Sequence, residues 1–311
     1  MLVVAALGGN ALLERGEPAE NAAQRRNIAV AARALARLAH EHELVVTHGN
    51  GPQVGLLALE AEAYGGVDPY PLDVLGAESE GMIGYLLEQG LANELPGRRL
   101  ATVLTQVAVD ERDPAFAAPS KPIGPVYPES QARRLARRRG WTVAADGVAW
   151  RRVVASPEPR RIIELDAIRT LVAAGVIVIC AGGGGVPVVS DPEGRLRGVE
   201  AVIDKDLTAA LLARELGAGA LLLLTDVPAI EADHGTPRAR PLRRATWEQL
   251  AELKLPAGSM GPKARAAARF VRETGALAAI GALRDAPAVL AGAAGTRVLR
   301  SGPASGVEGA A

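Results

Sequence analysis

The four lysines of the chain are the residues whose placement most clearly indicates chemistry. The sequence has 35 basic residues, and all but four of them are arginines. Three lysines lie in short segments rich in Gly, Pro and Asp: Lys121 in KPIGP, Lys205 in IDKD and Lys263 in GSMGPK. An ammonium on a flexible stem can follow a phosphoryl group as it moves, whereas a guanidinium fixes one bidentate geometry. The placement predicts an active site. The alternative is chance exposure in loops, of which Lys254 is an example.

Three glycine-rich segments follow apolar runs that have the composition of β-strands. They are Gly8-Gly9-Asn10, the run HGNGPQVG from His48 to Gly55, and Gly182 to Gly185. Glycine lets a backbone approach a phosphate closely and aim its N–H groups at the oxygens, and a following helix adds partial positive charge. One such segment alone could be a tight turn. Three together indicate a phosphate site at the carboxyl ends of parallel strands.

The segment Asp204-Lys205-Asp206 completes a set of residues suited to phosphoryl transfer. This reaction needs positive charge on the transferring oxygens, in-line positioning and, in most enzymes, Mg²⁺ between the phosphates. We expect Lys205 to neutralise the transferring group and Asp206 to hold the lysine ammoniums by charge-assisted hydrogen bonds. Helix capping by Asp204 or Asp206, on a helix that begins at Leu207, is a structural alternative. Capping and catalysis are compatible.

The motifs of the common nucleotide-binding families are absent or poorly matched. In GNGPQVG the third glycine lies one residue too late for a dinucleotide-binding loop, and Asp68 and Asp73, at the distance of a ribose ligand, lie in a proline-broken stretch. None of the lysines follows a glycine, so no G-x-x-x-x-G-K-[ST] motif exists, and the protein-kinase motifs H-R-D and D-F-G are missing. The pattern therefore favours a different kind of phosphate site.

Short apolar runs alternate with stretches of helical period, which predicts parallel strands joined by crossover helices in a doubly wound α/β sheet. Hydrophobic residues make up 49% of the 311 residues, enough for a large core. The predicted strands are Leu2–Leu7, Leu44–Thr47, Thr102–Val109, Val176–Ala181, Ala220–Thr225 and Leu277–Gly281. The predicted helices are Ala22–Ala39, Leu207–Leu216 and Lys263–Thr274.

The stretch from Glu111 to Pro159 departs from this alternation because it is rich in proline and has no long apolar run. We predict an insert at residues 111–160 that forms a subdomain or lid on a single domain of residues 1–300, with a disordered tail at 301–311. Its arginine run sits at helical spacing, so a solvated helix face is favoured over a nucleic-acid patch. The run comprises Arg133, Arg134, Arg137, Arg138 and Arg139.

Composition excludes several classes of protein. Formal net charge is zero, which gives no general attraction to nucleic acid or to anionic membranes. Cys180 is the single cysteine, so no internal disulfide is possible, and with four scattered histidines a Cys/His metal site is disfavoured. Apolar runs fall well short of the ~20 residues that span a bilayer, and the N-terminus lacks the features of a signal peptide. We expect a cytoplasmic protein.

The motifs taken together resemble those of the carbamate kinases of the amino acid kinase superfamily, over about residues 1 to 299. They are GGNALL, THGNGPQVG, PYPLDVLGAESEGMIGY, TQVAVD, KPIGP, WRRVVASP, GGGGVPVV, GVEAVIDKD, LLTDVP and LPAGSMGPK. HGNGPQVG, KPIG and EAVIDKD in combination are highly specific. The resemblance implies reversible Mg²⁺-dependent phosphoryl transfer between ATP and carbamate, giving ADP and carbamoyl phosphate, often run toward ATP and placed in arginine metabolism. It also implies a homodimer of αβα sandwiches, each with a protruding subdomain.

The same resemblance implies roles for individual residues. Catalytic roles are implied for Lys205 and Lys263 at the transition state, Asp206 as their organiser and Lys121 from the insert. Contacts with phosphate and carbamate are implied for Gly8, Gly9, Asn10, Gly49, Asn50 and Gly51. Nucleotide contacts are implied for Gly182, Gly183, Gly184, Gly185, Thr225, Asp226, Val227, Ser259, Met260 and Pro262. No side chain is expected to bind a metal, because Mg²⁺ would be held mainly by the nucleotide phosphates.

Two residues depart from the family pattern, and two rival functions are compatible with the motifs. Ala155 stands where many relatives have proline, and Pro228 stands where a more polar residue is expected. One rival is another acyl-phosphate-forming kinase of the superfamily, which should lack the KPIG insert. The other is a nucleotide sensor without turnover. Retention of Lys121, Lys205 and Lys263 argues against a sensor, because binding alone could tolerate arginine.

Overall fold

A computed structural model describes residues 1–13, 17, 20–64, 68–253, 255 and 260–300, with the backbone alone at 10 and 11. Its strands are β1 (Leu2–Leu7), β2 (Glu43–His48), β3 (Leu100–Val103), β4 (Gln106–Ala108), β5 (Lys121–Tyr127), β6 (Thr142–Asp146), β7 (Ala149–Val154), β8 (Arg161–Ile162), β9 (Ile177–Cys180), β10 (Val186–Ser190), β11 (Leu196–Gly198), β12 (Ala220–Thr225), β13 (Glu231–Ala232), β14 (Arg240–Pro241), β15 (Arg244–Thr246), β16 (Leu277–Ala282) and β17 (Thr296–Leu299). The helices are α1 (Gly9–Leu12), α2 (Asn21–Ala39), α3 (Gly51–Ala63), α4 (Leu72–Glu94), α5 (Glu129–Arg139), α6 (Leu165–Ala173), α7 (Lys205–Glu215), α8 (Trp247–Glu252), α9 (Met260–Thr274) and α10 (Ala286–Ala291). Three 3₁₀ turns are Pro114–Phe116, Gly182–Gly184 and Leu283–Asp285.

An eight-stranded sheet with the order β15-β17-β16-β12-β1-β2-β9-β3 forms the centre of the structure. Its neighbours are parallel except for the antiparallel pair β16 and β17. Alternate residues of β1 enter two different hydrophobic cores, with Val4 and Ala6 in one and Val3, Ala5 and Leu7 in the other. This alternation follows from the two-residue period of a strand and requires an apolar layer on each face.

Helices cover both faces, which confirms the predicted αβα sandwich. One core is closed by α2, α4 and α10, through residues such as Leu35 and Leu87. The other core is closed by α6, α7, α8 and α9, through residues such as Leu212 and Phe270. Within the described part of the chain, no helix is both long and apolar enough to traverse a lipid bilayer.

Five of the six predicted strands occur in the main sheet, with ends shifted by at most one residue. The prediction of a single strand from Thr102 to Val109 was wrong. The chain ends β3 at Val103, turns at Leu104 and Thr105, and enters β4 in a second sheet of order β11-β10-β4-β8. The Thr105 hydroxyl donates to the Val103 carbonyl and accepts from the Ala181 N–H, so hydrogen bonds from a distant loop stabilise the turn.

The predicted helices also start earlier than their apolar period indicates. Helix α7 begins at Lys205 rather than Leu207 because the Asp204 side chain caps it. Helix α9 begins at Met260, which places Pro262 in its first turn, where proline is tolerated. Helix α3, which the apolar period did not predict, begins at Gly51 with Pro52 in its first turn.

The insert contains a separate three-stranded antiparallel sheet of order β5-β7-β6 together with α5. A third, smaller hydrophobic cluster joins it to the body, and we refer to these residues as the insert core: Val54, Ala58, Leu72, Leu75, Ile123, Val154 and Val202. Four arginines of α5 are exposed, whereas Arg139 is half-buried and pairs with Glu62 on α3. The arginine run is therefore a helix face with one contact to the body. The tail at 301–311 lies outside the described residues.

Candidate active site

Four neighbouring parallel strands deliver their carboxyl ends to one edge of the main sheet. They are β12, β1, β2 and β9, and the loops that follow them begin at Asp226, Gly8, Gly49 and Ala181. The Gly8 N–H donates to the Leu224 carbonyl at 2.7 Å, so the loop after β1 runs close beside β12. Sheet order thus brings the three glycine-rich segments together, as expected of strand ends in open α/β sheets.

The loops approach each other too closely to leave room for side chains. A β-carbon on Gly49 would lie 2.9 Å from the Gly9 nitrogen and 3.3 Å from Cδ of Lys205. A β-carbon on Gly183, which has a φ of +67°, would lie 2.1 Å from the Asn50 side chain. Glycine is required here by close approach, and at Gly183 also by its left-handed conformation.

The lysines predicted to be catalytic converge on two carboxylates of the segment Asp204-Lys205-Asp206. Asp206 accepts from Lys205 Nζ at 2.5 Å and from Lys263 Nζ at 3.3 Å. Asp204 accepts from Lys121 Nζ at 2.6 Å and from the Asp206 N–H at 3.0 Å. Three ammoniums against two carboxylates leave a net positive charge, which suits an anionic phosphoryl group.

The side chains of the inner cluster are almost completely buried. Lys205, Lys263 and Asp206 have exposed side-chain fractions of 11%, 10% and 4%. Buried charges of one sign repel strongly, and they persist only when paired and hydrogen-bonded. Asp206 supplies that pairing from the first turn of α7, where the N-terminus of the helix also favours its negative charge.

Comparison with known proteins shows what this arrangement belongs to. The chain matches the amino acid kinase family over residues 1–281. It is 55% identical to the carbamate kinase of Rhizobium meliloti (strain 1021) over 97% of this chain and 94% of that protein. It is 51% identical to the carbamate kinase of Haemophilus influenzae, with 96% of this chain and 97% of that protein covered. The chain belongs to the amino acid kinase family and, within it, to the carbamate kinases.

Solved structures agree with this assignment. Carbamate kinase from Giardia lamblia, bound to citric acid, superposes with a TM-score of 0.90 at 39% identity, covering 96% of this chain and 98% of that one. An N-acetylglutamate synthase from Neisseria gonorrhoeae has a TM-score of 0.59 at 16% identity, covering 96% of this chain and 61% of that one, which shows similarity of fold alone. The wider fold is thus shared beyond the carbamate kinases.

Charges within the cluster alter the pKa of its members. Burial is the largest influence on Lys205 and, with Lys263 nearby, outweighs the Asp206 carboxylate to lower the pKa of Lys205 to about 8. Burial alone would raise the pKa of Asp204, but the Lys121 and Lys205 ammoniums lower that pKa to about 2. Asp204 is therefore a carboxylate at neutral pH and can hold Lys121.

The residues predicted to bind the nucleotide lie in several parts of the site. Gly182 and Gly183 lie against His48 and Asn50, on the side of the predicted phosphate and carbamate group. Thr225 ends β12 and donates to Asp226, while Asp226 and Val227 are exposed. Met260 and Pro262 lie in the first turn of α9 with Lys263. Ser259 lies outside the described residues, and Asn10 belongs to α1 by its backbone.

The two departures from the family pattern fall at different places. Ala155 is buried, and its carbonyl accepts from the Val202 N–H at 2.9 Å just before the lysine cluster. This hydrogen bond uses only the backbone carbonyl of residue 155, which alanine and proline both have, so alanine can make it as well as proline. Pro228 is exposed beyond the end of β12.

Glu80 on α4 is a residue of this site that the sequence analysis did not identify. One carboxyl oxygen accepts from the Gly182 N–H at 2.8 Å, and the other accepts a longer bond of 3.4 Å from the Thr105 N–H. Burial raises the pKa of Glu80 to about 8, although the two N–H groups oppose that shift. Glu80 therefore holds the glycine loop after β9 largely as a neutral acid at pH 7.

His48 and Ser79 complete the support of these loops. Ser79 accepts from the Asn50 amide at 2.8 Å and donates to the Gly76 carbonyl. His48 is fully buried, and burial lowers its pKa to about 4. Its Nε2 has no hydrogen-bond partner among the described residues. In the sequence, neither Glu80 nor Ser79 could be told from the other polar residues of α4.

A cavity of about 610 Å³ lies elsewhere, between the insert and the segment that joins α3 to α4. Its walls include Glu62, Tyr70, Trp141 and Arg152. None of the predicted catalytic, substrate-binding or nucleotide-binding residues lines it. None of the lysines of the cluster therefore borders this cavity.

We predict that Glu80→Gln changes how stability depends on pH. Folded Glu80 keeps its proton up to about pH 8, whereas the unfolded side chain releases it near 4.5, so the folded state binds more protons between these values. The contribution of Glu80 to stability is therefore fully present below about pH 4.5 and is lost as pH rises through about 8. Glutamine keeps the acceptor for Gly182 but cannot titrate. Urea unfolding at about pH 5 and about pH 8 should show a smaller fall in the free energy of unfolding for Glu80→Gln than for wild type.

The exposed Glu78→Gln, on the same helix, is the matched control and should retain the wild-type pH profile. Parallel profiles for wild type and Glu80→Gln would contradict the prediction.

Proposed function

We propose that this protein transfers a phosphoryl group reversibly between ATP and carbamate, giving ADP and carbamoyl phosphate. The observation that carries the proposal is the convergence of Lys121, Lys205 and Lys263 on Asp204 and Asp206, in a chain 55% identical to a carbamate kinase. An anionic acceptor and an anionic nucleotide repel each other, and a positively charged cluster at the junction of the strand ends overcomes that repulsion.

In the proposed reaction a carbamate oxygen attacks the γ-phosphorus of ATP, and the bond from that phosphorus to the β–γ bridging oxygen breaks. ADP leaves with the bond electrons, and no protein side chain becomes covalently attached. Lys205 and Lys263 neutralise the charge that spreads over the transferring oxygens, and Asp206 fixes both ammoniums. Catalysis then depends on positioning and electrostatics rather than on a nucleophilic residue.

Carbamate is small, and its proposed site is built largely from backbone. The N–H groups of Gly9 and Gly51 lie just beyond the strand ends, and the Asn50 amide is oriented by Ser79. The side chain of Asn10 is proposed to act with them. The N–H groups of Gly8 and Gly49 donate to the Leu224 and Leu7 carbonyls and so hold the loops after β1 and β2 in place. Lys121 reaches the same cluster from the insert through Asp204. Few polar atoms need recognition, so no large specificity pocket is required.

Magnesium is proposed to arrive with the nucleotide as part of the substrate. Among the described residues there is no cluster of three or more Asp, Glu, His or Cys able to hold a metal ion. Asp204 and Asp206 are already engaged by lysines. Mg²⁺ commonly takes most of its ligands from substrate phosphates and water. The nucleotide itself is proposed to lie near Gly182 to Gly185, Thr225 to Val227 and Ser259 to Lys263.

A homodimer is also proposed from the resemblance to carbamate kinases. Large exposed apolar side chains such as Tyr85 on α4, Leu104 after β3 and Val30 on α2 are available for contact with a second chain. A cytoplasmic location and a role in arginine metabolism are proposed from the resemblance to carbamate kinases.

The test of the proposed function is ATP formation from carbamoyl phosphate, ADP and Mg²⁺ by wild type and by Lys205→Ala. Loss of a charge that acts on the transferring group should lower kcat by at least about 10³-fold, while nucleotide binding is largely kept. Lys254→Ala is the matched control, because that lysine lies outside the site motifs, and it should turn over normally.

Folded wild-type protein that binds ATP yet forms none from carbamoyl phosphate would contradict the proposal. Phosphorylation of another carboxylate would then favour the acyl-phosphate kinase alternative, and absence of any product would favour a nucleotide sensor. Near-normal turnover by Lys205→Ala, with active wild type, would contradict the role of Lys205 alone.

We predict that kcat/KM falls as pH rises through about 8. Lys205 must be protonated to neutralise the phosphoryl group, and burial lowers its pKa to about 8 in the unliganded protein. The ammonium is fully present below that value and is lost above it. Initial rates of ATP formation at low substrate, from about pH 6 to about pH 9.5, should show this descending limb. A flat profile over that range, with coupling enzymes verified at each pH, would contradict it.

A further inference from the structure

Helix α3 and strand β5 meet through two glycines, where the backbones of the body and the insert approach closely. A β-carbon on Gly55 of α3 would lie 2.0 Å from Cα and 2.2 Å from the nitrogen of Gly124 on β5. Contacts of that length do not occur between real atoms, since carbon atoms settle at about 3.5–4.0 Å. The two backbones are therefore in direct contact.

The crevice around this contact has no spare volume. It encloses only about 10 Å³ between Ala58 and Leu59 of α3 and Ile123 and Tyr127 of β5. That is about the minimum for one water molecule. Ile123 and Ala58 also belong to the insert core, so the surroundings are packed. A methyl group on Gly55 could enter only if the helix and the strand separated.

Gly124 also marks an irregularity in the strand. Its φ is +69°, and the pairing of β5 with β7 shifts register between Ile123 and Tyr127. The Gly124 carbonyl accepts from the Arg151 guanidinium on β7, which fixes the irregular backbone. Such bulges redirect the strand around them. The direction of β5 on the Lys121 side is therefore set at Gly124.

Both glycines lie close in sequence to predicted site residues. Lys121 lies three residues before Gly124 on β5, held by pairing of Lys121 with Val154. Three residues of strand span only about 10 Å. On the other side, Gly55 lies on α3, four residues after Gly51, where that helix begins beside Asn50. One contact thus relates the position of Lys121 to the predicted substrate loop.

We propose that Gly55 is a positioning residue for Lys121. The contact of Gly55 with Gly124 sets the distance between α3 and β5. At this distance Lys121 Nζ lies 2.6 Å from the Asp204 carboxylate. A side chain at position 55 separates the two backbones by about 1.5–2 Å, the shortfall from van der Waals contact. Lys121 then moves beyond hydrogen-bond distance of Asp204. The catalytic consequence rests on the proposed function.

The kinetic test is a double-mutant cycle of Gly55→Ala and Lys121→Ala in the ATP-forming reaction. Misplacement of a catalytic group by about 1 Å costs on the order of 10²-fold. We expect each single variant to lose about 10- to 100-fold in kcat. The double variant should lose no more than Lys121→Ala alone, because the lysine that Gly55 positions is already gone. Losses that multiply in the double variant would overturn the proposal.

Gly81→Ala on α4 is the matched control. It makes the same change within a helix, but nothing lies within 4 Å of the added β-carbon. Both substitutions raise helix propensity equally, by about 1 kcal/mol. Gly81→Ala should keep wild-type kcat. Thermal unfolding of each variant confirms that it is folded.

A second measurement does not depend on activity. The chain has only four lysines, so lysine-selective ¹³C or ¹⁵N labelling gives a spectrum with one set of side-chain signals for each. Lys121→Arg assigns the Lys121 signal. Asp204→Asn retains a good helix cap but loses the charge, so its spectrum gives the chemical shift of Lys121 when the lysine is released from position 204. In nucleotide-free Gly55→Ala, the Lys121 signal should move toward that chemical shift.

The Lys121 signal distinguishes failure of the positioning role of Gly55 from failure of the proposed function. If it moves in Gly55→Ala while wild type forms no ATP, the positioning stands and the proposed function fails. If it stays at the wild-type position in folded Gly55→Ala, the positioning is overturned. Should Gly55→Ala not fold, Gly124→Leu replaces it. Its β-carbon would already touch Gly55 at 3.5 Å, and the crevice encloses only about 10 Å³, so the further carbons of leucine must separate β5 from α3, while the left-handed φ costs only about 1–2 kcal/mol. An unmoved Lys121 signal with wild-type kcat in that variant also overturns the proposal.

Discussion

Repulsion between two buried ammoniums is the constraint on which the rest of this structure depends. Lys205 and Lys263 lie within hydrogen-bond distance of one carboxylate, Asp206, and all three side chains are nearly inaccessible to water. Without Asp206, the two charges would either lose a proton or open the fold. The first turn of α7 supplies both Lys205 and Asp206, and α9 supplies Lys263. The packing of α7 against α9 is therefore an electrostatic requirement as well as part of the hydrophobic core.

The order of strands in the main sheet explains why the loops around this cluster are rich in glycine. Adjacent parallel strands end about 5 Å apart, so the loops that follow them must pass at backbone contact distance. Glycine at Gly49 and Gly183 makes that possible. Polar residues that support these loops, such as Glu80 and Ser79, come from α4 on the neighbouring layer. The site thus uses two layers of the sandwich, one for the loops and one for their support.

Local patterns in the sequence predicted most strands of the main sheet and pointed to the lysines that converge in the structure. Buried parallel strands appear as continuous apolar runs, and lysines among Gly, Pro and Asp were visible because this chain otherwise uses arginine. The break at Leu104 and Thr105 left no local signal, because it is stabilised by distant groups: the Ala181 N–H donates to the Thr105 hydroxyl, and Glu80 accepts from the Thr105 N–H. Glu80 and the contact of Gly55 with Gly124 depend on elements far apart in sequence, and no periodicity within either element reveals them.

Asp204 has a consequence for how this sequence can vary. One oxygen accepts from the backbone N–H groups of Asp206 and Leu207, and the other accepts from Lys121. Asparagine retains the first function but presents an amide N–H₂ to an ammonium. Serine and threonine can cap but have no second oxygen, and glutamate has the charge but is not among the preferred capping residues. Of the genetically encoded amino acids only aspartate meets both demands, so no single substitution at position 204 keeps both the helix cap and the contact with Lys121.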